Sequence, residues 1–176
     1  MIRRIAITGP ESTGKSSLAE RLAWHYHTVW VPEYARQYLA NLNRPYNNND
    51  LVEIAVGQVR LEDNLRKKAA KLLICDTDLL VISIWYRHYY GRLHPMIADL
   101  MDHRPYDLYL LMDIDLPWRY DPMREHPHLR KYFFSWYEKE LQERKLNYRI
   151  ISGENWERMQ HAVQAVDELL SRPISK

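Results

Sequence analysis

The stretch Gly9-Pro10-Glu11-Ser12-Thr13-Gly14-Lys15-Ser16 has the most specific pattern in the chain. It matches G-x-x-x-x-G-K-[S/T], the pattern of the phosphate-binding P-loop. Two glycines at this spacing let the backbone turn tightly and come close to a polyphosphate. A helix that begins near Lys15 would direct its positive dipole end at the same anion.

The residue types of this loop suit ATP and magnesium. The Lys15 ammonium would reach the β- and γ-phosphates, and the Ser16 hydroxyl is placed for Mg²⁺. Backbone amides in the loop would point at phosphate oxygens. The expected ATP-binding residues are Gly9, Glu11, Ser12, Thr13, Gly14, Lys15, Ser16 and Ser17.

The flanking sequence favours the motif over a chance match in a turn. Residues 3–8 end in a short apolar run, which is typical of a buried strand. Leu18, Ala19, Leu22 and Ala23 then recur at helical spacing. A strand, this loop and a helix in that order are the context that a P-loop requires.

Composition and charge limit the classes of protein to consider. The 176 residues are 46% hydrophobic and 27% charged, which predicts one globular domain over residues 1–176. The net charge of +2 offers no basic field for nucleic acid. We find neither a signal peptide nor a membrane-spanning apolar stretch, so we expect a cytoplasmic protein without a membrane partner. The single cysteine, Cys75, lies in an apolar run and is expected to be a buried strand thiol.

Strands and helices alternate along the remainder of the chain. Short apolar runs predict strands at 28–31, 71–75, 107–112 and 148–151. Helices are predicted at 33–39, 50–66, 79–90, 95–102, 129–146 and 154–170, with Asp50 as the N-cap of the second and Glu53 as its capping-box partner. We therefore expect an α/β fold, a P-loop NTPase with a five-stranded parallel sheet and helices on both faces.

Acidic side chains follow three of the predicted strands, namely Glu33, Asp76 and Asp113, at the edge where ligands of such sheets bind. Asp76 would hold magnesium or a magnesium-bound water, or else cap the next helix. Asp78 would bind substrate hydroxyls or act as a cap. Glu33 and Arg36 lie one helical turn apart and face the same side. Glu33 would bind ribose hydroxyls or take the proton of an attacking hydroxyl, with a surface ion pair as the alternative.

A Pro-rich segment at about 117–130 carries Arg119, Arg124 and Arg130 and is predicted to be an Arg-bearing lid. Guanidinium groups there would neutralise charge on a transferred phosphoryl group and exclude water. The alternative is a solvated loop with ordinary charges. Trp85 and its neighbours would stack on a planar, cationic acceptor base, with core packing as the alternative.

Several motifs in fixed order carry a family resemblance. They are GPESTGKS at 9–16, EYAR at 33–36, IAVGQ at 54–58, DTD at 76–78, HP at 94–95, DLYLL at 107–111, and Pro117-Trp118 followed by Asp121 and Arg124. From about residue 3 to 166 the sequence resembles the ribosylnicotinamide kinase domain of NadR-type NAD-biosynthesis proteins. The resemblance implies transfer of the ATP γ-phosphate to the 5′-hydroxyl of nicotinamide riboside, which gives nicotinamide mononucleotide.

The resemblance also implies roles for individual residues. The implied catalytic residues are Lys15, Glu33, Asp76, Arg124 and Arg130, with Ser16 and Asp76 at the metal. The expected substrate-binding residues are Glu33, Arg36, Gln58, Asp78, Trp85 and Trp118, of which Trp118 would help to close the acceptor pocket. The segment 119–130 differs in residue detail from the family, for example at 125–128, which bears on acceptor identity.

Two alternatives stay open. The chain would be a kinase for another nucleoside or small alcohol on the same scaffold, or a nucleotide-sensing regulatory module with little turnover. The expected partner is a small-molecule nucleoside, with ATP and Mg²⁺ as cofactors and no nucleic acid. The sequence leaves a homo-oligomer open.

Overall fold

The fold is one parallel β-sheet in a computed structural model that describes residues 2–173. The strands are β1 (Arg3–Thr8), β2 (Trp30–Val31), β3 (Leu72–Asp76), β4 (Leu108–Met112) and β5 (Tyr148–Ile151). Their order is β2-β3-β1-β4-β5, and every neighbouring pair is parallel. The predicted five-stranded parallel sheet is confirmed.

Seven α-helices accompany the strands in the described residues. They are α1 (Lys15–His25), α2 (Tyr34–Ala40), α3 (Asn48–Arg66), α4 (Leu79–Tyr90), α5 (Pro95–Asp102), α6 (Arg130–Glu143) and α7 (Asn155–Leu170), with a short 3₁₀ turn at Pro127–Leu129. Within residues 2–173, none of these helices is both long and apolar enough to cross a membrane.

Successive side chains of a strand point to opposite faces of the sheet, so they pack in two separate apolar layers. In β1, Ile5 and Ile7 pack in the cluster that contains residues of α1 and α7. Ala6, between them, packs in the cluster that contains residues of α4 and α6. Cys75 is fully buried in this second layer, as predicted. Helices therefore cover both faces of the sheet.

The start of α3 differs from the prediction that Asp50 is its N-cap, which was wrong. The helix begins at Asn48, and the N-cap is Asn47, whose side-chain oxygen accepts from the Asn49 amide at 2.9 Å. Asp50 is the third helical residue, and its Oδ2 accepts from the Asn47 amide at 2.7 Å. An earlier Asn with an acid three residues later makes the better capping box, because both free amides gain a partner.

The ends of β1 and β3 lie side by side, which positions the site. Ile7 and Asp76 are register partners, and the Thr77 amide donates to the Ile7 carbonyl at 3.1 Å. The carboxyl end of β3 therefore lies beside the residues that enter the P-loop. Asp76 therefore ends the strand that lies next to the P-loop strand.

Candidate active site

The P-loop takes a conformation that only glycine permits at two points. Gly9 has φ +126° and Gly14 has φ +83°, both in the left-handed region. A Cβ on Gly9 would lie 3.1 Å from the Met112 carbonyl oxygen, so β4 also excludes a side chain there. Gly14 is the N-cap of α1, and the helix begins at Lys15. The amino end of α1 therefore faces the loop.

Lys15 lies at the base of this loop. Its Nζ donates to the Gly9 carbonyl at 2.9 Å and to the Pro10 carbonyl at 2.7 Å. Desolvation lowers the pKa of Lys15, while the carboxylates of Glu33 and Asp76 act in the opposite direction. An ammonium held here is within reach of a phosphate bound in the loop.

Ser16 and Asp76 form an oxygen pair beside Lys15. Burial raises the pKa of Asp76 to about 6, and the nearby Ser16 hydroxyl partly offsets this shift. Asp76 Oδ1 is buried and accepts no hydrogen bond from the described residues. An unpartnered carboxylate oxygen next to a hydroxyl suits Mg²⁺, which binds few protein oxygens together with phosphate oxygens.

A cavity of about 790 Å³ opens above these residues. One part is lined by the P-loop, by Arg21 and by residues 154, 155 and 158 near the start of α7. The other part is mostly apolar and is lined by Leu39, Tyr46, Leu51, Ile54, Val81, Ile82 and Trp85. Glu33 and Arg36 also line this cavity. The P-loop and an apolar chamber are therefore open to each other within one cavity.

Glu33 and Arg36 interact as the helical spacing predicts. Arg36 Nε lies 3.4 Å from Glu33 Oε2, and Arg36 Nη1 lies 3.1 Å from Asp121 Oδ2. The structure therefore contains the ion pair that was the alternative interpretation, but it places both residues on the cavity wall. Arg36 links the acceptor side of the cavity to the 117–130 segment.

The 117–130 segment lies against the P-loop through contacts that converge on Ser12. The Arg119 amide donates to Ser12 Oγ at 2.8 Å, and Arg124 Nη1 lies 3.4 Å from the same oxygen. Arg130 Nη2 donates to the Ser12 carbonyl at 3.3 Å. Of the three arginines, Arg119 and Arg124 line the cavity. Arg130 instead connects the segment to the loop.

Gln58, Asp78 and Trp118 lie outside the cavity lining. Asp78 is fully buried, caps α4, and accepts from Thr8 Oγ1 at 3.0 Å, and burial raises its pKa to about 7. Gln58 is also buried, and its Oε1 accepts from the Tyr34 amide at 2.9 Å. These two side chains hold α4 and α2 in place behind the wall of the cavity. Trp118 is half-buried.

Trp85 reaches the apolar part of the cavity, where aromatic rings surround it. Its ring stacks with those of His126 and Tyr89, at centroid distances of 5.5 and 5.9 Å. The neighbouring Tyr86 is buried and Tyr90 is exposed. Core packing therefore describes Tyr86, while Trp85 has access to a ligand.

Arg158 was missed by the sequence analysis. It is 5% exposed, and its Nη1 donates to the Thr13 carbonyl of the P-loop at 2.8 Å. Its Nε donates to the Gly153 carbonyl at 2.7 Å, and it pairs with Asp115. This guanidinium joins the P-loop to the loops after β4 and β5. No local pattern marks an arginine in the first turn of the last helix, so only the tertiary structure identifies it.

The sheet order and the P-loop define the chain as a protein of the P-loop NTPase fold class. Residues 4–158 match the family model described as AAA domain, and the chain belongs to that family. The chain is homologous to the trifunctional NAD biosynthesis/regulator protein NadR of Salmonella typhimurium, with 34% identity over 127 residues. The match covers 70% of this chain and 31% of that protein, so the chain spans about a third of the length of this curated relative.

Solved structures show the same fold. The NadR protein in complex with NR has a TM-score of 0.83 and 24% identity, and its complex with NAD and AMP-PNP has 0.81 and 23%. Each match covers 99% of this chain and about half of that one, 52% and 51% respectively. The structure of deoxyadenosine kinase from M. mycoides with bound dCTP has a TM-score of 0.59 and 12% identity. This match covers 94% of this chain and 99% of that one. The resemblance drawn from the motifs is confirmed.

Proposed function

We propose that this chain is an ATP-dependent kinase that phosphorylates the 5′-hydroxyl of nicotinamide riboside and so produces nicotinamide mononucleotide. The observation that carries the proposal is the single cavity that joins the P-loop to an apolar chamber beside Glu33, Arg36 and Trp85. The relative's name places it in NAD biosynthesis, and a solved structure of the same fold holds NR. A nucleoside with a planar base fits a chamber of this character.

In phosphoryl transfer, these residues would mainly position the two reactants and neutralise the charge of the phosphates. Lys15 would bind the β- and γ-phosphates. Ser16 and Asp76 would hold Mg²⁺, which supplies positive charge beside those phosphates. Arg124, on the cavity wall above Ser12, would neutralise charge on the phosphoryl group in transit.

Glu33 is the residue that we assign to the acceptor hydroxyl. In the transfer, the 5′-oxygen forms a bond to the γ-phosphorus, and the bond from that phosphorus to the bridging oxygen of ADP breaks. The hydroxyl proton would pass to the Glu33 carboxylate, which Arg36 holds at 3.4 Å. Asp121 holds Arg36 in turn. Because Arg124 on the cavity wall belongs to the same 117–130 segment as Asp121, this segment acts as an Arg-bearing lid in this proposal.

The alternatives differ in what the apolar chamber does. A kinase for another nucleoside would keep every phosphate-side role and change only the occupant of that chamber. A nucleotide-sensing module needs no chamber for a second substrate, and the cavity beside Glu33 therefore counts against it. The cytoplasmic location and the single domain over residues 1–176 stay predictions.

ADP formation from ATP and Mg²⁺ with a panel of nucleosides tests the proposal. We expect ADP to form in proportion to nicotinamide riboside. Lys15→Ala should lower this rate by about 10²-fold or more, because a charge on the transferring phosphates is lost. Turnover with a different nucleoside alone would discard the substrate but keep the mechanism. Tight ATP binding without acceptor-dependent ADP would support the sensing module.

A further inference from the structure

A carboxylate lies among aromatic rings at the apolar end of the cavity. Glu125 Oε2 accepts a hydrogen bond from the Tyr46 hydroxyl at 3.3 Å and a second from the Tyr89 hydroxyl. These three residues come from different parts of the chain, namely the segment before α3, the helix α4, and the 117–130 segment. Tyr46, Trp85 and Glu125 all line the cavity.

The rings form a connected group around this carboxylate. Tyr46 and Tyr89 meet edge to face at 5.9 Å, and Tyr89 stacks on Trp85 with an angle of 20° between the ring planes. Burial raises the pKa of Tyr46 to about 12, so its hydroxyl stays a donor at neutral pH. Both phenols bind the same oxygen, and Glu125 Oε1 accepts no hydrogen bond from residues 2–173.

The charge balance distinguishes Glu125 from two other acids of the cavity wall, Glu33 and Asp121. Glu33 and Asp121 are each paired with Arg36. Among the described residues, no lysine or arginine nitrogen lies within 4.0 Å of the Glu125 carboxylate, and only the His126 ring reaches it, at 3.9 Å. The aromatic end of the cavity therefore carries a negative charge without a fixed arginine or lysine counter-ion.

We propose that Glu125, oriented by Tyr46 and Tyr89, makes the kinase prefer an acceptor whose planar base is positively charged over a neutral base of the same shape. This inference rests on the proposed function and adds a specificity-determining residue to it. A carboxylate attracts a pyridinium ring, and aromatic faces attract a cation as well. A neutral base gains neither interaction.

Nicotinamide riboside and its neutral 1,4-dihydro form provide the test, because they differ in charge far more than in size. Initial rates of ADP formation, separated by chromatography, give kcat and KM for both nucleosides at one fixed pH. The variants are Glu125→Gln, Glu125→Asp, and Glu143→Gln as a control that removes an exposed carboxylate from α6. Glu125 is exposed on a loop, with 41% of its side chain accessible, so its replacement should leave the fold intact.

Wild type and Glu143→Gln should prefer the cationic nucleoside. Glu125→Gln should reduce that preference about tenfold through a higher KM for the cation, with kcat and the neutral substrate little changed. Glu125→Asp should retain part of the preference. An unchanged preference in Glu125→Gln, or an equal loss for both nucleosides, would overturn the inference and leave the proposed kinase standing. If wild type phosphorylates neither nucleoside, the proposed function fails first and the inference fails with it.

Discussion

At the scale of single residues, the site combines residues that a local sequence pattern predicts with residues that no local pattern predicts. Lys15 and Ser16 stand at fixed positions in a loop pattern, and Asp76 ends an apolar run, so local sequence was sufficient to select them. Arg158 and Glu125 have no such mark. They reach the P-loop and the aromatic chamber through contacts with residues that are 145 and 79 positions away in sequence. Physical chemistry can explain such contacts once they are known, but local periodicity cannot predict them.

Asp76→Asn should stabilise the protein at neutral pH. The pKa of Asp76 is raised to about 6 in the folded state, above its unfolded value near 4. Between these values the folded state binds more protons than the unfolded state, so the free energy of unfolding falls as pH rises from about 4 to 7. The variant lacks this titration. Relative to wild type, it should gain about 2 kcal/mol between pH 4 and pH 7, measured by urea unfolding.

Asp63→Asn is the matched control for this measurement. A hydrogen bond from Arg104 lowers the pKa of Asp63, so its stabilising contribution is present at neutral pH and is lost as pH falls through the folded-state pKa. Its removal should therefore leave the slope between pH 4 and pH 7 nearly unchanged, because this titration lies below about pH 4. If Asp76→Asn and wild type give parallel curves, Asp76 is not destabilised by burial. The inference that a buried carboxylate with an unpartnered oxygen lies at the magnesium position would then be wrong.

At the scale of elements, two of the motifs used for the resemblance turn out to hold α2 against α3. Gly57 lies where the ring of Tyr34 packs, and a Cβ there would collide with that ring. Gln58 accepts from the Tyr34 amide at the first residue of α2. The sequence showed both motifs but not their contact, because they belong to different helices. Their joint effect is to position Glu33, the residue just before α2, at the cavity.

Gly57→Ala should therefore raise the acceptor KM and leave the KM for ATP nearly unchanged. The added methyl displaces the Tyr34 ring and with it the start of α2, while the P-loop lies elsewhere. We expect a loss of about 1–3 kcal/mol in the free energy of unfolding from this overpacking. Urea unfolding and steady-state kinetics with both substrates varied would measure the two effects.

The background variant Tyr34→Ala serves as the control for Gly57→Ala. With the ring removed, the same substitution should be neutral or stabilising by about 1 kcal/mol, since alanine favours a helix over glycine. Equal destabilisation in both backgrounds would mean that the contact between α2 and α3 does not set the position of Glu33.

At the scale of the whole molecule, the sheet brings distant parts of the chain to one edge. Alternation of apolar runs and helical spacing was enough to predict the five parallel strands and the helices on both faces. The register of β3 against β1 brings Asp76 beside the P-loop. The contact of the 117–130 segment with Ser12 was not predictable, because its hydrogen bonds join residues more than 100 positions apart in sequence.

The central claim is that this edge of the sheet transfers a phosphoryl group from ATP to a nucleoside hydroxyl. The most direct measurement uses ATP with ¹⁸O in the three non-bridging γ-oxygens, nicotinamide riboside as acceptor, and mass spectrometry of the nucleoside product. Direct transfer should give a phosphorylated nucleoside that carries all three labelled oxygens, with the phosphate on an unlabelled 5′-oxygen. ADP together with labelled free phosphate, and an unmodified nucleoside, would contradict it.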